Sequence, residues 1–459
     1  MKLLDLRTLD KTLDERKDTT VEIGGWVRSV RDNKNFGFIN LNDGTTFKGI
    51  QIVFNASDFE NYSEIAKLNT GSSIKCTGTV VLTPNNKQPY EIHAKNIEIL
   101  CKTDSDYPLQ KKGSTLEFLR EQAYLRPRTN LFNAVFRVRS EASFALHKFF
   151  NEEGFVYLQA PIFTSSDCEG AGELFRVSTQ DIYSGKKLDP KDELFGKSVY
   201  LSPSCQLEGE TFALAFGKTY TFGPTFRAEN SNTVKHANEF WHLEPEMAFY
   251  ELFDDMDVME KMIKYVIKYL FEHCKAELEF FDSFVEKGLI EKLKLVETSD
   301  FARITYTKAI EDLEKNNDKF EYKVHWGSDI QTEHEKYLTQ VVYGKPVFVY
   351  DYPKEIKAFY MKVNDDNKTV KATDLLVPGI GELCGASERE ERYDVLLSRI
   401  RELGLNEKDY WWYLNLRKFG SVKHSGFGLG FDRLVMYVTG MQNIRDVIPF
   451  PRTPKNCEY

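Results

Sequence analysis

Three stretches in the second half of the chain carry charged residues inside apolar or glycine-rich surroundings. Segments 219–229 (TYTFGPTFRAE) and 239–249 (EFWHLEPEMAF) read as two antiparallel strands joined by the polar, mobile loop NSNTVKHAN. Arg227 and Glu229 stand two apart, which places them on one sheet face, and Glu244 and Glu246 share a face of the partner strand. Such charges are either a solvated outer face or the wall of a polar site. Residues 381–389 (GELCGASER) combine small side chains with Glu382 and Arg389. Residues 424–440 (HSGFGLGFDRLVMYVTG) run from a glycine-rich strand into an apolar helix. Gly426, Gly428 and Gly430 alternate, so one strand face is bare and a flat ligand such as a purine could lie on it. Arg433 opens the helix, where it can stack on a base or pair with a phosphate. Neither GxGxxG nor GxxxxGK[ST] occurs, so both common phosphate-binding loops are absent.

The elements that must position these groups follow from periodicity. Residues 131–153 repeat apolar side chains at three- and four-residue steps (Val135, Val138, Ala142, Leu146, Phe149), which predicts a helix ended by Gly154. The following FVYLQAPIF predicts a strand, and Pro161 places it at a sheet edge or a subunit boundary. Residues 252–281 predict one long amphipathic helix, better suited to a core than to a cofactor.

The first third of the chain has a different character. Residues 21–31, 36–42, 48–54, 72–83 and 88–100 read as strands, with Asp43-Gly44 as a hairpin turn and one helix over 57–69. That order is that of an OB-fold barrel, whose sheet face binds single-stranded nucleic acid. Phe36 and Phe38 face one side and are either a stacking platform or core. Arg28 and Gln51 are polar residues in apolar strands that can read a base edge or face solvent. Residues 103–116 have linker composition.

The 459 residues carry 61 Lys+Arg against 70 Asp+Glu, a net charge of −9, which opposes indiscriminate nucleic-acid binding. Residues 1–103 nevertheless hold 14 basic against 13 acidic residues, and 111–139 hold seven against two. A polyanion would therefore meet the first third. No apolar run reaches membrane-helix length, and the acidic N-terminus is not that of a signal peptide. The seven cysteines form no CxxC pair, which predicts reduced thiols, a cytoplasmic location and no structural zinc.

Taken in order, the segment ending in Pro161, FRAE at 226–229 (Phe226 to Glu229) and GFGLGFDRL at 426–434 resemble the three signature motifs of class II aminoacyl-tRNA synthetases. The N-terminal barrel places the resemblance in the aspartyl, asparaginyl and lysyl subgroup. SSDCEGAGELF (165–175), HANEFWHLEPEMAFYE (236–251) and YPLQKKGSTLEFLREQAYLRPRT (107–129) are similar to the bacterial asparaginyl branch. The resemblance covers essentially the whole chain. It implies an α+β protein: an OB-fold anticodon-binding domain over 1–103, a hinge over 104–130, and a catalytic domain over 131–459. That domain has a mostly antiparallel sheet flanked by helices, and a homodimer joins through 137–163.

The resemblance also implies roles. ATP and Mg²⁺ activate L-asparagine as an adenylate, which is then transferred to tRNA(Asn). Arg227 neutralises the α-phosphate. Glu229 positions the adenine, and Arg433 covers that ring or meets the γ-phosphate. Glu382 is the Mg²⁺ ligand, Gly428 and Gly430 floor the nucleotide, and Lys235 or His236 reaches the triphosphate. Glu169 and Gln206 hold the substrate ammonium group, Arg389 its side-chain oxygen and Glu244 its amide nitrogen. A lysine suited to aspartate is replaced here by Gly209. In the barrel, Arg28, Phe38 and Gln51 meet the anticodon. The rivals are an aspartyl enzyme, an asparagine-forming enzyme that would not need the barrel, and a non-catalytic RNA-binding relative, which would be expected to lose Arg227, Glu382 or Arg433.

Overall fold

Alternating apolar residues close the first strands into a barrel. A computed structural model describes the chain except residues 1, 2, 87, 110–112, 169–172, 184 and 186. The chain divides into two compact units, Met1–Phe136 and Arg137–Tyr459.

In the first unit, β1 (Thr20–Asp32), β2 (Phe36–Asn42), β3 (Ile50–Asn55), β4 (Ser73–Leu82) and β5 (Tyr90–Cys101) form a closed barrel in the order β1-β2-β3-β5-β4. Its interior is filled by Ile23, Val27, Ile39, Ile52, Phe54 and Ile74, all fully buried or nearly so. Phe36 and Phe38 point outward, edge to face with ring centroids 5.5 Å apart. Gly37 between them has no alternative: a Cβ there would stand 2.3 Å from the Phe54 ring. The helix expected over 57–69 is not continuous. A 3₁₀ turn at Ala56–Asp58 and one helical turn at Tyr62–Ile65 flank Phe59, which is extended. Phe59 leaves helical geometry to bury its ring against Phe54 at 6.4 Å, so packing overrides the local periodicity.

In the second unit, eight strands form one sheet. They are β6 (Val156–Leu158), β10 (Lys218–Phe226), β11 (Glu239–Ala248), β12 (Ala302–Thr305), β13 (Val347–Pro353), β14 (Thr369–Val377), β15 (Gly381–Glu388) and β16 (His424–Gly430). Their order is β12-β13-β14-β15-β16-β11-β10-β6, antiparallel except for the end pairs β12–β13 and β10–β6. A small sheet of β7 (Phe163–Thr164), β8 (Arg176–Val177) and β9 (Val199–Leu201) stands apart.

The helix Asn130–Glu152 buries the expected face, with Val135, Val138, Ala142 and Leu146 at 0% exposure. Gly154 follows with φ +79°, a conformation that favours glycine. The expected single strand over 155–163 is split: β6 joins the edge of the large sheet and β7 the small one, with Pro161 between them. The predicted helix over 252–281 is also broken, into Leu252–His273 and Lys275–Phe284, at the buried Cys274. No helix of the described residues is long and apolar enough to cross a membrane.

Candidate active site

The central strands of the large sheet line a cavity of about 300 Å³. Its walls come from the β10–β11 connection, from β11, β14, β15 and β16, and from the helix Phe431–Thr439. The charged side chains fall into two groups, one at each end.

The first group gathers Arg227, Lys235 and Arg433 around Glu382. Arg227 and Glu229 lie just past the end of β10 rather than on a strand face, which corrects the sheet-face reading. They are fixed there by Asn238, whose Nδ2 donates to the carbonyls of Arg227 (2.8 Å) and Glu229 (3.0 Å). The Arg227 guanidinium lies 5.4 Å from the centre of the Phe240 ring. The loop expected to be mobile is tied down. Arg445 donates to Asn232 Oδ1 (2.8 Å), Ile444 N to the Val234 carbonyl (2.8 Å), and Lys235 Nζ to the Ile380 carbonyl. Lys235 and His236 both line the cavity, and His236 Nδ1 sits against the Thr233 hydroxyl. Burial, with Arg433 added, pulls His236 below its ordinary value, so its ring is neutral at neutral pH.

Arg433 Nη1 reaches Glu382 Oε2 at 3.4 Å. Burial alone would raise the Glu382 carboxyl, but Arg433, Lys357 and Arg227 hold it below the ordinary carboxylate value. Beside it stands Asp374, bound by Lys357 Nζ at 2.8 and 3.1 Å. A Cβ on Gly385 would stand 3.4 Å from Glu382 Oε1 and 3.6 Å from Asp374 Oδ1, so these two oxygens overhang one glycine.

The second group centres on Glu244, which is 4% exposed. It accepts from the Ser204 hydroxyl, from Cys205 N at 2.9 Å and from Thr221 Oγ1 at 3.4 Å, and His242 Nδ1 lies 3.2 Å away. Burial pushes Glu244 up, but His242 and these donors bring it down to about 2, so it is ionised. Arg389 lines the same cavity, with its orientation set by its neighbours. Nε and Nη2 grip Glu246 at 3.2 and 2.5 Å, and Nη1 donates to Ser387 Oγ at 2.7 Å. Two of its five N–H groups remain uncommitted among the described residues. Gln206 Nε2 is held by Glu210 at 3.0 Å, and Glu210 also accepts from Tyr413, Arg417 and His424.

The glycine strand is corrected in part. A Cβ on Gly426 would meet the Glu246 carboxylate at 2.4 Å and one on Gly428 would meet His242 Nε2 at 2.6 Å. Side chains from β11 therefore cover most of the bare face, and only Gly430 is left open toward Arg433. A side chain at Gly209 would start 3.3 Å from Glu246 Cγ, at the Arg389 end of the cavity.

The cavity thus brings together Arg227, Glu229, Lys235, His236, Gln206, Glu244, Glu382, Arg389, Gly428, Gly430 and Arg433. Glu169 lies outside the described residues. Sequence reasoning missed Asp374, Lys357, Ser204 and His242. His242 was open to detection, being two residues before Glu244 on the same strand face; the others have no local signal. In the barrel, Phe38 and Gln51 are half-buried on the outer face, and Gln51 Nε2 donates to Glu91 at 2.9 Å. Glu91 in turn holds His93 at 2.9 Å. Arg28 donates to the Arg128 carbonyl.

Comparison with known proteins bears on the family and the fold. A family described as tRNA synthetases class II (D, K and N) matches residues 115–454, and an OB-fold nucleic acid binding domain matches 21–100. The chain is 60% identical over 444 residues to the asparagine–tRNA ligase of Clostridium novyi (strain NT), with 96% of each chain covered. It is 58% identical over 459 residues to the enzyme of that name from Bacillus cereus (strain ATCC 10987 / NRS 248), with 99% of each covered. Among solved structures it resembles asparaginyl-tRNA synthetase from Pyrococcus horikoshii complexed with asparaginyl-adenylate. That likeness has TM-score 0.88 and 33% identity, covering 100% of this chain and 99% of the other. The Entamoeba histolytica asparaginyl-tRNA synthetase, also in complex with asparaginyl-adenylate, gives TM-score 0.83 and 26% identity over 96% and 97%.

Proposed function

The chain belongs to the class II tRNA synthetases of the D, K and N group, and on that premise we propose that it ligates L-asparagine to tRNA(Asn) with ATP. The observation that carries the reading is one cavity with three cations around Glu382 at one end and an ionised Glu244 opposite Arg389 at the other. In the first step a carboxylate oxygen of asparagine attacks the α-phosphorus of ATP, the bond to the β-phosphate breaks, and pyrophosphate leaves. In the second the terminal ribose hydroxyl of the tRNA attacks the activated carbonyl and AMP leaves. The attacking carboxylate needs no general base, so the first step rests on positioning and charge neutralisation.

We assign Arg227 to the α-phosphate, Glu229 and Arg433 to the adenosine and triphosphate, and Lys235 and His236 to the outer phosphates. Lys235 brings a charge and His236 brings a hydrogen-bond donor. Gln206 and Glu169 take the substrate ammonium group. Arg389 gives its uncommitted N–H groups to the side-chain oxygen, and Glu244 accepts from the amide NH₂. Aspartate would set a carboxylate oxygen against Glu244, so one residue both selects and excludes.

The donor set suits Mg²⁺. Glu382 and Asp374 present two carboxylate oxygens over Gly385, the one or two carboxylates this ion takes alongside phosphates and waters. Among the described residues no cluster of three or more His, Cys, Asp or Glu side chains is placed to hold a metal. When bound, Mg²⁺ neutralises charge on the triphosphate.

A homodimer through 137–163 is supported by apolar side chains left outside: Phe144, Tyr157, Ile162 and Phe163 are 45–58% exposed. The barrel over 1–103 would read the anticodon through Phe38, Gln51 and Arg28, with 104–130 as the hinge and the cytoplasm as the place of work. Incubation with ATP, Mg²⁺, asparagine and tRNA(Asn) should give charged tRNA, AMP and pyrophosphate. Absence of charged tRNA from folded protein would overturn the reading.

A further inference from the structure

Lys357 follows the 3₁₀ turn Lys354–Ile356 and lines the cavity, although nothing in its local sequence marks it. Its ammonium donates to both oxygens of Asp374, and the two side chains are only 17% and 16% exposed. The same nitrogen lies 3.9 Å from the centre of the Tyr352 ring, a second attraction, and the Tyr352 side chain also hydrogen-bonds to Asp374. Glu382 meanwhile has Arg433 as its partner at 3.4 Å. Each of the two carboxylates therefore has a close cationic partner of its own at this end of the cavity. Neighbouring carboxylates repel, and such partners keep them ionised and in place. Lysine suits a temporary partner: a compact charge on a flexible four-carbon stem, where arginine would lock both oxygens in a planar fork.

We propose that Lys357 is a positioning residue that holds Asp374 toward Glu382 until a divalent cation and its nucleotide enter, and then yields that carboxylate to them. The Tyr352 face keeps the ammonium attracted while it lets go. The proposal rests on the reading of this cavity as the metal–nucleotide site, and the experiment separates the two.

The probe is Mn²⁺, titrated into the full chain and followed by electron paramagnetic resonance without nucleotide, for wild type, Lys357→Gln and Lys357→Arg. Circular dichroism of each variant checks the fold. Removing a competing positive charge should tighten Mn²⁺ binding in Lys357→Gln by about fivefold or more. Lys357→Arg keeps the charge and should bind no more tightly than wild type. A merely structural lysine would weaken Mn²⁺ binding, or leave it unchanged, in both variants, and either result overturns the proposal. A parallel titration with ATP present tests the premise. If wild type binds Mn²⁺ with ATP while Lys357→Gln matches wild type without it, only the proposal fails. If wild type binds no Mn²⁺ even with ATP, the reading of the cavity fails and the proposal with it.

Discussion

Glu246 and Arg389 are joined by two hydrogen bonds, Nε to Oε2 at 3.2 Å and Nη2 to Oε1 at 2.5 Å, with side chains 0% and 4% exposed. Burial alone would pull the guanidinium down, but Glu246 and Glu210 push it up, so Arg389 stays charged where an uncharged wall would be cheaper. Glu246 sits behind the substrate end and fixes the direction in which Arg389 can donate.

Glu246→Ala should leave Arg389 buried without its close carboxylate partner, with only the longer contact to Glu210 at 3.9 Å and the Ser387 hydroxyl. Breaking such a pair costs about 3–5 kcal/mol of stability. Urea denaturation should show that loss, and KM for asparagine should rise in whatever fraction folds. An unchanged denaturation midpoint would mean that Arg389 finds another partner and that Glu246 is not its anchor.

Arg227→Ala should cripple adenylate formation with the fold intact. One donor aimed at developing charge is worth about 3–4 kcal/mol, or two to three orders of magnitude in rate. Near-normal pyrophosphate exchange by this variant would remove Arg227 from the α-phosphate.

Glu244 gives a pH signature. Its carboxyl is brought to about 2, below an unfolded value of roughly 4.3. The stability it contributes is therefore fully present above about pH 5, and it is lost as pH falls toward 2. In the working range it does not titrate, so selectivity for asparagine over aspartate should stay flat from about pH 6 to 8. Glu244→Gln should weaken asparagine binding and narrow the gap, because the repulsion goes while some hydrogen bonding remains. Unchanged selectivity in that variant would move the filter elsewhere, with Arg389 next.

The barrel and the cavity should separate functionally. Phe38→Ala and Gln51→Ala should weaken tRNA charging by about 1–3 kcal/mol per lost base contact and spare pyrophosphate exchange. Glu91→Ala should act like Gln51→Ala, since Glu91 holds the Gln51 amide at 2.9 Å. If both activities fell together, these side chains would be serving the barrel itself.

How much could be read from the chain alone depended on whether chemistry was local. Arg227, Glu382 and Arg433 stand in short motifs with strong composition, and the cavity unites them. The five strands of the barrel were legible because each alternates, and the helix over 57–69 failed because Phe59 gains more by packing on Phe54 than by continuing a turn. Lys357 and Asp374 are 17 residues apart in unremarkable sequence and meet only because the chain turns back after β13. The alternating glycines of β16 were correctly seen as a bare face, but what covers it, Glu246 and His242, comes from the adjacent strand. Pairing across a sheet has no signature in either strand alone.

Amino-acid-dependent exchange of pyrophosphate into ATP, without tRNA, reports adenylate formation in this cavity by itself. The cavity predicts exchange with asparagine and a rate with aspartate lower by about 10⁴, the discrimination open to a site built around a buried polar group. Exchange driven as well by aspartate as by asparagine, or by neither, would contradict the account.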